Sequence, residues 1–280
     1  MNYKQAELFL IEHCHAHVEK SELQAMMKRI AEHLTQKSIL ELRLDSTVEL
    51  DESQFIPIVE DLKRERPLQY ILGYEWFGHL KLNVNEYVLI PRPETEELVD
   101  WVLEEVRLKQ QKQPYTILDI GTGSGCIPIW LKSKNNQIEV TAMDISKEAL
   151  AQATQNAQIH QVDIQFVQAD ILQPDFNLNT QFDIIISNPP YITSDERSEM
   201  ASNVLDYEPS LALFVHNDDP LQFYKAIHRF SQSHLAPNGL MFFEVGKQHA
   251  CSVASYFKHE GLQTELRKDM YGNERMLKVW

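Results

Sequence analysis

Asn188-Pro189-Pro190-Tyr191 is the segment of this 280-residue chain best suited to grip a planar –NH2 group. Consecutive prolines stiffen the turn, and they have no N–H to pair with its carbonyls. An amide or aromatic amine offers two N–H donors, while its nitrogen lone pair is tied up in conjugation. The side-chain oxygen of Asn188 and the carbonyl of Pro189 can accept both hydrogens. That aims the nitrogen at an electrophile and favours its rehybridisation. Tyr191 would pack on the planar group. The bland alternative is an X-Pro-Pro turn with a capping Asn.

A second constellation decides against the bland reading. Only nine glycines occur in the chain, and Gly121, Gly123 and Gly125 fall within five residues, with Thr122 and Ser124 between them. They follow an apolar strand and open a helix, where glycine allows a sharp turn and close backbone approach to a ligand. Nineteen residues past Gly125, Asp144 ends the next apolar run, VTAMD. A carboxylate there can accept two hydrogen bonds from a ribose diol; capping of the next helix is its alternative, and Ser146 is the better cap. The loop reads G-T-G-S-G-C rather than G-x-G-x-x-G, which disfavours a dinucleotide and suggests S-adenosylmethionine.

These residues need elements to hold them. Strands are expected at Thr116–Ile120, Glu139–Asp144, Ile164–Gln168, Phe182–Ser187 and Leu240–Val245, and helices at Cys126–Lys134, Lys147–His160, Leu221–His234 and Ala250–Glu260. Apolar strands alternating with helices imply a mostly parallel sheet covered on both faces, an α/β fold. Leu262–Lys268 and Glu274–Val279 should add an antiparallel hairpin. Residues 1–72 read as a small helical domain, with Ser21 capping a helix over Glu22–Leu34 and Asp51 with Gln54 resembling a capping box. Residues 73–90 suggest a linking β-hairpin, and residues 91–280 the larger domain, opening with an amphipathic helix over Thr95–Val106.

Composition narrows the partners. The net charge is −15, and neither part is basic: residues 1–90 carry 10 basic and 15 acidic side chains, the remainder 16 and 26. Nucleic acid is disfavoured as main partner. No apolar run is long enough to span a membrane, and MNYKQAELFLIEHCHAH has no signal-peptide pattern. Three cysteines without paired spacing fit free thiols in a reducing compartment. The expectation is a cytoplasmic monomer. His13 and His17 share a helix face, but no second ligand pair accompanies them, so no metal is expected.

The chain resembles the peptide chain release factor N5-glutamine methyltransferases, class I S-adenosylmethionine-dependent enzymes. The resemblance rests on RPLQYILGYEWFG (66–78), VLIPRPETEELV (88–99), LDIGTGSGCI (118–127), NPPY (188–191), FEVGKQ (243–248) and YGNERM (271–276). It implies a Rossmann-like methyltransferase domain with a seven-stranded sheet, preceded by a helical domain that docks the protein substrate. It implies methyl transfer from S-adenosyl-L-methionine, leaving S-adenosyl-L-homocysteine, to the Gly-Gly-Gln glutamine of class I release factors, in support of translation termination. Carried over, Gly121 to Gly125, Asp144, Asp170 and Ile171 would hold the cofactor, with Asn188. Asn188, Pro189, Pro190 and Tyr191 would bind the substrate amide, with Asn188, Pro189 and Tyr191 catalytic. The same tetrad occurs in adenine N6 methyltransferases of nucleic acid, the alternative reading. Arg92-Pro93-Glu94-Thr95 is a further family signature, with two readings: closure of the cofactor pocket, or helix capping by Thr95 beside a surface Arg92. Glu244 reads equally well as structural.

Overall fold

In a computed structural model of the chain, the described residues are all but 16–17, 46, 110–113, 174–175 and 216–218. His17 therefore lies outside them. The chain divides into two compact units, Met1–Tyr74 with Ala201–Tyr207, and Glu75–Met200 with Glu208–Trp280.

The first unit contains helices α1 (Tyr3–Cys14), α2 (Lys20–Thr35), α3 (Ile39–Leu44), α4 (Glu52–Lys63) and α5 (Leu68–Leu72). Leu23, Met27, Ile30 and Ala31 recur on one face of α2 and pack with Ala6, Leu10, Phe55 and Val59 in an apolar core. Two expected caps are corrected. Helix α2 begins at Lys20 with Glu19 at the N-cap, so Ser21 lies inside it. Asp51 does cap α4, but it accepts from the Ser53 N–H at 2.9 Å, and Gln54 closes no box. The His13 ring bonds the Phe9 carbonyl through Nδ1 at 2.8 Å and stacks on the Phe9 ring.

The second unit is built on strands. β1 (Tyr74–Phe77, its first residue grouped with the first unit) and β2 (Leu80–Asn83) form a hairpin, followed by α6 (Pro93–Lys109). Then come β3 (Thr116–Ile120), α7 (Cys126–Lys134), β4 (Glu139–Asp144), α8 (Lys147–Ile159), β5 (Gln165–Gln168) and β6 (Phe182–Ser187). The chain continues through short helices α9 (Ser202–Tyr207, grouped with the first unit) and α10 (Ser210–Leu213) to α11 (Gln222–His234). It ends with β7 (Leu235–Glu244), α12 (Ala250–His259), β8 (Thr264–Lys268) and β9 (Glu274–Val279).

Seven strands lie in the order β5-β4-β3-β6-β7-β9-β8, parallel except for β9, which is antiparallel to both neighbours. Alternate residues of a strand face opposite sides. Accordingly Ile117, Ile184, Ile186 and Phe242 enter the core under α6, α7 and the hairpin, while Leu118, Ile185, Met241 and Phe243 enter the core under α11 and α12. Helices therefore cover both faces. The hairpin is fastened to α8: Asn156 accepts from the Asn83 N–H at 2.8 Å and donates to the Asn83 carbonyl at 2.9 Å and the Ser124 carbonyl at 2.8 Å.

Several boundaries shift by one to three residues, and two differ from expectation for a clear physical reason. Helix α6 starts at Pro93 rather than Thr95, because proline suits the first helical position, whose N–H would be unpaired anyway. Strand β7 starts at Leu235, five residues early. Its first half carries Pro237 and Gly239 and is accommodated by a register irregularity opposite Phe182 and Ile184.

Candidate active site

Strand order reverses between β3 and β6, and in open α/β sheets such a switch point leaves a crevice at the carboxyl ends of the strands. The last residues of these strands, Ile120 and Ser187, are register partners, and the Ser187 hydroxyl donates to the Ile120 carbonyl at 2.7 Å. The next residues, Gly121 and Asn188, thus leave the sheet side by side. On the other side of β6, Ser187 is in register with Phe243, which brings Glu244 to the same edge.

The glycine loop is a shaped surface. Gly121, Gly123 and Gly125 have φ values of +78°, +53° and +80°, a region that penalises residues with a Cβ. A Cβ on Gly121 or Gly123 would meet nothing within 4 Å, so their faces are open. On Gly125 it would meet the Ala153 Cβ at 3.1 Å, so that glycine serves close packing against α8. Asp144 holds the loop: its carboxylate accepts from the Gly123 N–H and the Ser146 N–H, both at 2.9 Å. Ser146 caps α8, accepting from Ala149 at 3.0 Å. A carboxylate has about four acceptor positions, so Asp144 keeps capacity for a diol.

Three buried polar groups lie in this loop and at the end of β3 before it. Both oxygens of fully buried Asp119, the Thr122 hydroxyl and the Ser124 hydroxyl make no hydrogen bond of good geometry among the described residues, although Thr122 sits close enough to Asp119 to favour its charged form. Burial pushes the Asp119 carboxyl up to about 7, with the Asp144 charge adding to the rise and Thr122 opposing it. Unpaired buried polar groups are costly and rare in folded proteins, so a cluster of them beside an open glycine surface marks a place for a ligand with donors.

The tetrad emerges from β6 into a polar chain. The Asn188 Nδ2 donates to the Thr95 Oγ1 at 3.3 Å, and Thr95 donates to Glu244 Oε2 at 2.5 Å. Asn188 Oδ1 and the Pro189 carbonyl have no protein partner among the described residues. Burial pushes the fully buried Glu244 carboxyl up to about 7, against the opposing pull of Thr95, Arg275 and Arg92. The Tyr191 hydroxyl accepts from Arg275 Nη1 at 3.1 Å, and Arg275 lies 3.8 Å from Asp269. Burial first, then the Glu244 charge, raises the Tyr191 phenol to about 12, so it stays neutral.

Comparison with known proteins decides which family carries this crevice. Residues 102–207 match the family model "Methyltransferase small domain". The chain is 42 % identical over 268 residues to the release factor glutamine methyltransferase of Flavobacterium psychrophilum, covering 93 % of each chain. The enzyme of the same name from Lactococcus lactis is 40 % identical, covering 92 % of this chain and 93 % of that one. This chain belongs to the release factor glutamine methyltransferase family. Among solved structures, the catalytic domain of hMettl16, crystallised with an RNA hairpin, aligns with a TM-score of 0.57 at 18 % identity over 79 % of this chain and 80 % of that one. A human methyltransferase 10 domain containing protein aligns at 0.51 and 17 %, over 72 % and 89 %. At such identities the likeness concerns the methyltransferase fold alone.

The remaining sequence-derived residues of this methyltransferase are placed as follows. Asp170 closes a local turn, accepting from the Leu172 N–H at 2.9 Å and the Gln173 side chain at 3.1 Å. Ile171 is buried beside Leu118 and Met143. Arg92 is no free surface cation: it pairs with the buried Glu208 at 2.5 Å. Thr95 lies inside α6 rather than at its cap and is buried. Sequence reasoning missed Asp119 altogether. Its signal was a carboxylate within the apolar run ILDI, directly before the glycines.

Proposed function

We propose that this protein transfers a methyl group from S-adenosyl-L-methionine to the side-chain amide nitrogen of the glutamine in the Gly-Gly-Gln motif of class I release factors. The observation that carries this reading is the register of Ile120 with Ser187, which sets the open glycine loop beside the Asn-Pro-Pro-Tyr turn. Kinship with release factor glutamine methyltransferases along most of the chain supports the substrate.

The residues present fit the cofactor. The unpaired Asp119 carboxylate suits the ammonium of its amino-acid portion, Asp144 its ribose, and the open faces of Gly121 and Gly123 let its chain lie on the backbone. Thr122 and Ser124 have hydroxyls to offer, and Ile171 an apolar wall for the adenine. When bound, the cofactor supplies a methyl group made electrophilic by a sulfonium. The protein's task is then alignment, which contributes about 7–11 kcal/mol in well-oriented reactions. Asn188 Oδ1 and the Pro189 carbonyl accept the two amide hydrogens of the substrate glutamine, and Tyr191 packs on its plane. They draw electron density toward the nitrogen before any proton leaves, and the nitrogen releases one of its hydrogens as a proton to solvent once the methyl has arrived. We propose that residues 1–72 dock the release factor and residues 91–280 carry the chemistry, with 73–90 joining them.

Mass spectrometry tests this. A release factor incubated with cofactor and the wild-type chain should gain a single methyl on the Gly-Gly-Gln glutamine, and Asn188→Ala should abolish it. A methyl on any other residue, or on adenine of an added nucleic acid instead, would overturn the reading. The net charge of −15 speaks against the adenine alternative.

A further inference from the structure

Asn188 can serve as an acceptor only if its amide faces the right way. Rotated by half a turn, it would offer –NH2 to the substrate's own –NH2, and two donors would meet. Its local sequence does not choose between these orientations. The buried chain behind it does. Thr95 Oγ1 lies 2.5 Å from Glu244 Oε2 and 3.3 Å from Asn188 Nδ2. An ionised carboxylate has no hydrogen to give, so Thr95 must donate to Glu244. A hydroxyl has one hydrogen, so Thr95 can only accept from Asn188. Asn188 must then point Nδ2 at Thr95 and leave Oδ1 for the substrate.

We propose that Thr95 and Glu244 are positioning residues that fix the polarity of this chain and so hold the Asn188 amide with its oxygen toward the substrate. The proposal rests on the amide-methylation reading for what the oxygen receives. It gives the Arg92-Pro93-Glu94-Thr95 signature a purpose: Arg92, anchored on Glu208 at 2.5 Å, sets the start of α6, and the first turn of α6 presents Thr95. Glu244 is anchored through its own backbone, whose carbonyl accepts from the Tyr224 hydroxyl on α11 at 3.0 Å.

Protonation of Glu244 would remove the constraint, since a carboxylic acid can donate to Thr95 as well as accept. The charged and titratable groups around it are Arg275 on β9, Arg92 and Glu94 at the start of α6, Tyr191 after the tetrad, Tyr224 on α11 and the Cys126 thiol at the start of α7, which burial keeps neutral. The arginines favour the ionised form, Glu94 opposes it, and both tyrosines remain neutral. Burial nonetheless pushes the Glu244 carboxyl up to about 7. Activity should therefore fall on the acid side as Glu244 takes up its proton.

The test uses the full chain as wild type, Thr95→Val, Thr95→Ser and Glu244→Gln. We expect Thr95→Val to lower kcat about tenfold with KM for the release factor within about twofold, and Thr95→Ser to restore kcat. The acid limb of kcat should vanish in Glu244→Gln, with a low and flat profile. In the cofactor-free protein, the side-chain amide resonances of Asn188 should shift in Thr95→Val and return in Thr95→Ser. Wild-type kcat in Thr95→Val, or an acid limb that persists in Glu244→Gln, would overturn the proposal. Should Thr95→Val not fold, Thr95→Ser and the Glu244→Gln profile decide it alone. If the wild type methylates something other than the glutamine amide, the functional reading fails, while the Asn188 resonances still report on the relay.

Discussion

The Ser187 hydroxyl donates to the carbonyl of Ile120 at 2.7 Å, so the two strand ends that carry the glycine loop and the tetrad are tied by a side chain as well as by the sheet. Ser187 is fully buried. Replacing it with Ala would leave the Ile120 carbonyl without this donor, at a cost of about 1–2 kcal/mol. For a unit of this size that lowers the melting temperature by about 2–8 °C. Because the tie spans the proposed donor and acceptor sites, kcat should fall further than either binding constant. Calorimetry and steady-state kinetics on Ser187→Ala check this. Unchanged kcat would show that backbone register alone sets the alignment.

Asp119 gives a pH dependence whose sign can be worked out. Burial raises its carboxyl to about 7 in the ligand-free protein, far above the range of an unfolded chain. Its contribution to stability is therefore present below the usual carboxylate range and is lost as pH rises through about 7. Binding a cationic ammonium reverses the preference, since it needs the ionised form. Cofactor affinity should rise as pH climbs toward 7 and then level off, weakening about tenfold for each unit below it. Asp119→Asn should flatten both curves and bind weakly throughout. Titration calorimetry with S-adenosyl-L-homocysteine across pH 5.5–8 measures this; an unaltered pH slope in Asp119→Asn would assign the proton elsewhere.

Two glycines of one loop should respond differently to alanine. Both have positive φ, which costs a residue with a Cβ about 1 kcal/mol. At Gly123 the new methyl meets no protein atom within 4 Å. Gly123→Ala should fold, lose only this strain, and bind cofactor much less well because the methyl fills the cradle. At Gly125 the methyl would lie 3.1 Å from the Ala153 Cβ and 3.3 Å from the Ala153 Cα. Gly125→Ala should lose more stability than Gly123→Ala, since α7 and α8 must separate. Thermal melts with and without ligand distinguish the two.

How much of this was legible beforehand follows from the range of the interactions. Strands β3, β4 and β6 and the glycine loop announce themselves locally, because buried parallel strands are continuous apolar runs and the glycines cluster after one of them. The early start of β7 was hidden, since Pro237 and Gly239 read as a turn and Asn238 adopts a φ of +61°. Helices α9 and α10 are too short to carry a periodic pattern. In the site, Asn188 to Tyr191 were legible as a turn leaving β6, to which we assign the acceptor role. The partner that orients Asn188 was not: Thr95 precedes it by 93 residues and Glu244 follows Thr95 by 149. A threonine near a helix start looks like a cap from the sequence, and only the fold reveals its buried carboxylate partner.

The seat of the Tyr191 ring can be disturbed without touching the ring. Gly246 lies just beyond β7, and a Cβ built on it would come within 2.9 Å of Tyr191 Cδ2 and 3.2 Å of Cε2. Such distances are not tolerated, so Gly246→Ala must push the ring away or shift the loop after Glu244. The ring is also held from its far end, where Arg275 donates to the phenol oxygen at 3.1 Å while lying 3.8 Å from Asp269. Removing only that bond, in Tyr191→Phe, keeps the aromatic face and should cost about 0.5–1.5 kcal/mol of stability with kcat largely retained. Gly246→Ala should do the reverse. Stability changes little, because the loop can yield, while kcat falls about tenfold as the planar amide loses its stacking surface and drifts from alignment. Measuring kcat, cofactor affinity and melting temperature for both variants separates the two roles. A loss of kcat in Tyr191→Phe equal to that in Gly246→Ala would mean that the hydroxyl, not the ring, is what the reaction uses.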